Sequence, residues 1–524
     1  MAKSEKLPEG KKSKLFIKEK TMEGKKNAAI TGRMILQGKL RLTSPMIIGG
    51  GKVLFADSDI VVLKDENGDP YIPSSSLTGV LKYLFADYCH KEKENEYKYR
   101  LNKLWFWGGE YISEKYSENG LSQKLSCQSA MLIDDLLLDK ASKSFIRVRD
   151  GIKIDPKTGL VESGKKFDFE MVEPGACFNF SLEVVVRNAY DKDLFRSFVQ
   201  WIVSRLTSGQ LAVGARTAQG YGRCKLEKES IAFYDFNFTE KEHVLSWLSG
   251  NKEKARVSAF MLTDDTFLCK EESFSIKANF RICNSLIVGS YSGDPGAPDK
   301  VHLKSRNHEG QETAVLPGTS LRGAVRSRAK RILLTMGNAA DADIKGLFGW
   351  VDDKNEEKPI KSRVIIEERP ISQGTYIEEI QYRIRIDRFT GGVINAALFD
   401  SMPIWSREGN ESMVTLELTI KDYADWEAGL MMLVLKDLWN ADLAVGGEKN
   451  IGRGTLQGQR AEISLPGQKI IMVQNENGLQ LYKEGYEPAW NEEAAKELER
   501  FVEALLIRAN QSQQPGSEVV NSEQ

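Results

Sequence analysis

The chain has 524 residues, 41% of them hydrophobic and 9% aromatic, a length and composition that predict two or more globular domains with full apolar cores. With 73 Lys and Arg against 74 Asp and Glu it is not coated in positive charge, which leaves room only for local basic grooves. Neither a run of about 18 apolar residues nor an apolar signal core is present, and the six scattered cysteines lack a CxxC pair, so the expectation is a cytoplasmic protein with reduced thiols and no membrane partner.

Residues 1–30 hold nine Lys against four Glu without periodicity and read as a basic N-terminal arm. GRMILQGKLRLTSPMII then alternates apolar and polar residues, which predicts a strand. A glycine-bearing loop leads into PSSSLTGVLK (73–82). Leu77, Val80, Leu81, Leu84 and Phe85 form one apolar stripe there, a helix that Ser75 or Ser76 is placed to cap. IRVRDGIKIDPKTGLV alternates around a Thr-Gly turn and predicts a β-hairpin. FNFSLEVVVRN reads as a strand, Leu194, Phe198, Ile202 and Leu206 as a second helix, and LAVGARTAQGYGR as a Gly-rich loop.

The same series then recurs. FSIKANFRICNSLIV predicts a strand. PGTSLRGAVRSRAKR (317–331) predicts a helix with the stripe Leu321, Val325, Ala329 and Ile332, capped by Thr319 or Ser320. YRIRIDRFTGGVI is a second hairpin, SMVTLELTIKD a strand, Trp426 to Leu438 a helix, and LAVGGEKNIGRG a Gly-rich loop. Asp155 and Gly214 reappear 232 residues later as Asp387 and Gly446, whereas Ser76 and Ser320 are 244 apart. A shifting interval means loop insertions within a tandem duplication. The boundaries are an arm (1–30), a first domain (31–230), a connector (231–255), a second domain (256–466) and an extension (467–524). The extension carries a helix on Ala495, Leu498, Phe501, Val502 and Leu505 and ends in a disordered tail. Strand-helix-strand-strand-helix-strand in each copy predicts an α+β fold, two tandem ferredoxin-like (RRM-like) domains with hairpin and loop insertions.

These phrases, in this order and written twice, resemble the RAMP superfamily of CRISPR-associated proteins. Each copy is similar to the backbone subunit that polymerises along the guide RNA in type III effector complexes. ADSDIVVLKDENGDPYIPSSSLTGVLK resembles that family's link from first strand to first helix, and LAVGARTAQGYGR its C-terminal Gly-rich loop. Two fused copies look most like the double-backbone subunit of type III-D-like systems. The resemblance implies a guide RNA, a complementary target RNA and other effector subunits as partners. It also implies that each hairpin is a thumb that displaces a base pair of the guide–target duplex.

Read by itself, the Ser-Leu-x-Gly phrase is a capped helix with solvated basic residues. Its glycines allow a close backbone approach, and a helix N-terminus suits a phosphate. The resemblance turns this into sequence-independent contacts to guide RNA by Ser75, Ser76, Gly79 and Lys82, and by Thr319, Ser320, Arg322, Gly323 and Arg326. The Gly-rich loops are neither Walker nor dinucleotide loops. With Gly214, Arg216 and Arg223, and Gly446, Lys449 and Arg453, they can equally be turns or phosphate cradles.

An aspartate just before the second strand supports target cleavage in the family. The matching residues are Asp59 and Asp299, with Asp57 and Asp294 as alternates; outside the family a lone loop Asp reads as turn chemistry. The implied reaction is a metal-dependent endoribonuclease step in which the RNA 2′-hydroxyl attacks and leaves a 2′,3′-cyclic phosphate. Asp59 and Asp299 would hold Mg2+ or Mn2+ against the phosphate oxygens. A scaffold of the same architecture that binds guide RNA without cutting is the alternative. A serine hydrolase is excluded, because GxSxG is absent.

Overall fold

The computed structural model describes residues 29–50, 58–91, 105–116, 122–155, 158–188, 191–257, 273–290, 296–306, 310–337, 340–352, 358–407, 409–476 and 478–512. The basic arm, apart from its last two residues, and the tail after residue 512 lie outside this set, as do Asp57 and Asp294.

The first unit begins with β1 (Ile30–Leu42), followed by α1 (Ser74–Lys91) and the short β2 (Met131–Ile133). A hairpin of β3 (Ile146–Ile154) and β4 (Val161–Val172) precedes β5 (Cys177–Arg187), α2 (Lys192–Thr207) and β6 (Cys224–Leu226). The sheet order is β2-β5-β1-β6, antiparallel throughout. That is the ferredoxin-like arrangement, in which the first and third core strands lie at the centre. The stretch 231–255 is more than a connector. Its β7 (Ala232–Asn237) adds to the other end of β1, and its α3 (Lys241–Leu248) brings Trp247 against Phe236 and Tyr234 to cover the sheet's second face.

The second unit repeats the plan. β8 (Ser273–Ile282) is followed by β9 (Lys300–His302), α4 (Gly318–Thr335), α5 (Ala340–Phe348) and β10 (Val364–Ile366). The hairpin is β11 (Gln381–Ile386) and β12 (Val393–Met402), and β13 (Met413–Lys421), α6 (Asp425–Trp439) and β14 (Leu456–Leu465) complete the core. The order β10-β13-β8-β14 matches the first sheet, and β15 (Gln468–Asn475) and β16 (Gly478–Lys483) extend it. Residues 467–483 thus belong to the second sheet, and α7 (Glu492–Ser512) packs on α6. At the crossing a Cβ on Gly429 would sit 2.1 Å from the Phe501 carbonyl, so only glycine fits.

Burial follows the sequence pattern. β8 and β13 alternate nearly residue by residue, with Phe274, Ile276, Ala278, Phe280, Val414, Leu416, Leu418 and Ile420 inside. In the first unit Phe85, Phe106, Phe195 and Phe198 fill the space under the helices, Phe106 stacked on Phe198 at 3.9 Å between ring centroids. Each such ring removes about 150–250 Å² from water.

The two units meet across an extended junction. Arg149 of β3 donates twice to Glu368, and both side chains are nearly fully buried. Arg223 donates to Glu367 at 2.8 Å. Gly220, at φ 87°, lies so close to Glu367 and Glu368 that a Cβ would come within 2.7 Å of their backbone. Arg147 bridges Glu173 and Glu312 beside them. Among the described residues no helix is long and apolar enough to cross a membrane.

Candidate active site and nucleic-acid interface

Asp59 and Asp299 occupy equivalent positions, although their loops differ in sequence. Asp59 precedes Ile60, which forms a parallel bridge with Phe169 of β4. Asp299 precedes Lys300 of β9, which pairs in parallel with Ser401 of β12. In both units, then, the carboxylate stands where an incoming segment, an isolated bridge in the first and β9 in the second, first pairs with the hairpin's outgoing arm. Both are exposed.

Each has a second carboxylate beside it. The Asp59 N–H donates to Asp168 Oδ1 at 2.8 Å, and the Asp168 N–H returns a bond to Asp59 Oδ2 at 3.1 Å. The Asp299 N–H donates to Asp400 Oδ1 at 2.6 Å, and the Asp400 N–H reaches Asp299 Oδ2 at 3.4 Å. Asp168 and Asp400 are half-buried. Neither lies in one of the repeated phrases that mark the candidate residues in the sequence. A usable signal was present, because Phe167-Asp168 and Phe399-Asp400 keep the 232-residue interval of the other landmarks. No group of three or more Asp, Glu, His or Cys side chains converges to hold a metal among the described residues. An exposed carboxylate such as Asp59 or Asp299 could hold a hard divalent cation that takes its other ligands from phosphate and water.

The Ser-Leu-x-Gly helices start earlier than local capping predicts. α1 begins at Ser74, whose N–H donates to the Asp135 carboxylate at 2.7 Å. An acid from the segment after β2 therefore caps the helix, and Ser75 and Ser76 lie inside the first turn. α4 follows Pro317 with no side-chain cap, which places Thr319 and Ser320 inside its first turn too. Gly79 and Gly323 are exposed, and a Cβ on either would meet no atom within 4 Å. Packing within the chain does not require glycine at these two helical positions, where it costs about 1 kcal/mol relative to alanine.

The predicted basic residues divide into two groups. Lys82 and Arg326 are exposed on their helices, and Lys449 is exposed on its loop. Arg322 instead donates to the Phe348 carbonyl and to Ser362 Oγ, and burial, with Arg326 adding, pulls its guanidinium down to about 10. Arg223 is engaged at the junction. Arg453 is 2% exposed, ion-paired to Glu448 and bonded to Gln381. Arg216 lies over the Phe167 and Phe169 rings at 4.6 Å from each, and burial lowers its pKa.

The two Gly-rich loops share one backbone. Arg216 and Glu448 are both left-handed, at φ 57° and 56°, and each is followed by a short 3-10 turn closed by a left-handed glycine, Gly220 or Gly452. Gly214 and Gly446 pack against the carbonyls of Ile47 and Ile287, where a Cβ would sit at 2.3 and 2.5 Å. The loop shape therefore holds while the charge at one position reverses. The first loop is docked on the second unit. In the second loop Gly452 faces open space.

Both hairpins present apolar side chains to solvent. Val148, Ile152, Ile154 and Leu160 do so in the first, and Tyr382, Ile384, Leu398 and the 99% exposed Phe389 in the second. At each tip the N–H of the residue after the Thr (Gly159 or Gly391) donates to the Asp155 or Asp387 carbonyl.

Comparison with known proteins agrees with this geometry. The RAMP superfamily matches residues 39–225 and 279–457. Among curated proteins, the CRISPR system Cms endoribonuclease Csm3 of Methanocaldococcus jannaschii is 26% identical over 205 residues, 38% of this chain and 80% of that protein. The relative thus has the size of one unit. Matched in both units, and built on two sheets of the same ferredoxin-like order, the chain belongs to the RAMP superfamily.

Proposed function

We propose that the chain is a double backbone subunit of a type III CRISPR effector complex, which binds guide RNA along its sugar-phosphate backbone and cuts complementary target RNA at two centres. The observation that carries this reading is the repeated centre. An exposed aspartate stands at the same strand start, beside the same hairpin, in both units. The resemblance to a protein named as an endoribonuclease supports it. The open glycines of α1 and α4, with Lys82, Arg326 and Lys449 exposed, suit a phosphate chain that approaches the backbone closely.

In the proposed reaction the RNA supplies its own nucleophile. The 2′-hydroxyl oxygen bonds to the adjacent phosphorus as the bond to the 5′-oxygen breaks. The products are a 2′,3′-cyclic phosphate and a 5′-hydroxyl. Asp59 and Asp299 would hold a divalent ion such as Mg2+ or Mn2+, which when bound offsets charge that builds on the phosphate oxygens. Each keeps its Oδ1 clear of a protein donor among the described contacts, because the backbone N–H of Asp168 or Asp400 is bonded to Oδ2. The exposed apolar hairpins would splay the duplex so that the scissile phosphate takes an in-line geometry, a gain that can reach several kcal/mol.

The test is reconstitution of the complex with its guide, a complementary RNA and Mg2+. Two cuts with cyclic-phosphate ends, abolished by EDTA, are expected. Tight binding of an RNA that stays intact would sink the cleavage reading and leave a binding scaffold.

A further inference from the structure

We infer that Asp168 and Asp400 are positioning residues, each fixing the aspartate of its own centre. This rests on the cleavage reading above. The strand starts that carry Asp59 and Asp299 have little ladder of their own. Ile60 makes a single isolated bridge, and β9 has two parallel pairings with β12, Lys300 with Ser401 and Val301 with Met402, beside two antiparallel ones, Val301 with Ser290 and His302 with Gly289, that do not reach Lys300. At Ile60 and Lys300 each segment is paired on one side only, which does not by itself fix the carboxylate of the residue before it.

The second aspartate supplies the constraint. It accepts the N–H of Asp59 or Asp299 and returns its own N–H to that residue's carboxylate. This ring of two hydrogen bonds fixes both the backbone and the side-chain rotation of the outer aspartate, and its Oδ1 is left for other work. Asp168 and Asp400 also stand on better-held strands. β4 is paired with β3 from Val172 back to Lys166, and β12 with β11 through Asp400 and Ser401. The tether therefore runs from the hairpin to the strand start.

The duplication adds an independent argument. The approach loops ADSDI and APDKV differ, and Asp59 and Asp299 are 240 residues apart, out of step with the 232-residue interval. The Phe-Asp pair keeps that interval even though the next two residues change from Phe169-Glu170 to Ser401-Met402. The two loops have the same length, 17 residues from Leu42 to Asp59 and from Ile282 to Asp299, but different sequences, and each ends on the same acceptor although 109 residues separate Asp59 from Asp168 and 101 separate Asp299 from Asp400.

The role requires an acceptor oxygen, which asparagine also has. In the assembled complex, Asp168→Ala should slow only the cut assigned to the first unit, by tenfold or more in single turnover. A misplacement of about 1 Å can cost about 100-fold. The target concentration for half-saturation and the second cut should stay as in wild type. Asp168→Asn should restore the rate to within about threefold. Asp400→Ala and Asp400→Asn should do the same at the second cut.

An Asn variant as slow as Ala would overturn the positioning role and make the carboxylate itself a ligand. An unaffected Ala variant would overturn it outright, and loss of both cuts from one substitution would show a general structural role instead. Asp59→Ala is run beside these. If it leaves the first cut unchanged, the cleavage reading has failed; if it abolishes that cut while Asp168→Ala does not, only the present inference has.

Discussion

Arg149→Ala should destabilise the chain more than most substitutions of a basic residue. Arg149 and Glu368 are 4% and 9% exposed, and the guanidinium meets the carboxylate with two hydrogen bonds, the longer at 3.0 Å. Burial opposes the charge on Arg149, but the neighbouring Glu368 outweighs it and raises the affinity for the proton. Removing the arginine leaves a carboxylate at the junction without its cation. Breaking a buried pair in this way costs about 3–5 kcal/mol, whereas replacing both partners by apolar groups of similar size is often neutral. Urea unfolding of the full chain should therefore show a loss of that order for Arg149→Ala. The double variant Arg149→Met with Glu368→Leu should recover most of it. A single-variant cost below about 1 kcal/mol, or a double variant equal to the sum of its singles, would refute the claim that the junction depends on this pair.

Other expectations can be checked separately. His302 is 1% exposed; its Nδ1 accepts the Val288 N–H, and burial lowers its pKa from 6.5 to about 4. Between those values the unfolded chain binds a proton that the folded chain does not, so stability falls with pH from 6.5 toward 4. The share due to His302 is about 3 kcal/mol. A His302→Gln variant should lose that part of the pH slope, and an unchanged slope would contradict the assignment. Gly79→Ala and Gly323→Ala should each raise the stability of the free chain by about 0.5–1 kcal/mol, because the added methyl meets nothing, yet weaken guide RNA binding. Unchanged binding in a filter assay would remove the helix faces from the RNA path. Gly222→Ala and Gly454→Ala should instead destabilise by several kcal/mol in thermal melts. Their Cβ atoms would lie 1.9 and 1.8 Å from the Val213 and Val445 carbonyls, at φ 77° in both cases.

Much of the architecture is legible locally. Alternation marks β8 and β13, apolar stripes mark the four core helices, and the paired Asp-x-x-Thr-Gly turns mark both hairpins. The three-residue strands β2 and β10 carry too few residues for a periodic signal, and they take their place from pairing with β5 and β13. β15 and β16 read as an extension because the sequence does not show that β14 has a free edge to pair with. The site is only partly legible for the same reason. Arg223 and Arg453 have the composition of phosphate ligands, but Glu367 and Glu448, remote in the chain or across a loop, engage them. Residue type indicates a candidate charge; only the three-dimensional partners decide whether it is free.

The most direct test of the central claim is to map the target-RNA products of Asp59→Ala and Asp299→Ala, made singly in an otherwise intact complex. Two equivalent centres predict that each substitution removes one cut and spares the other while RNA binding is unchanged. Both cuts surviving in both variants would contradict it.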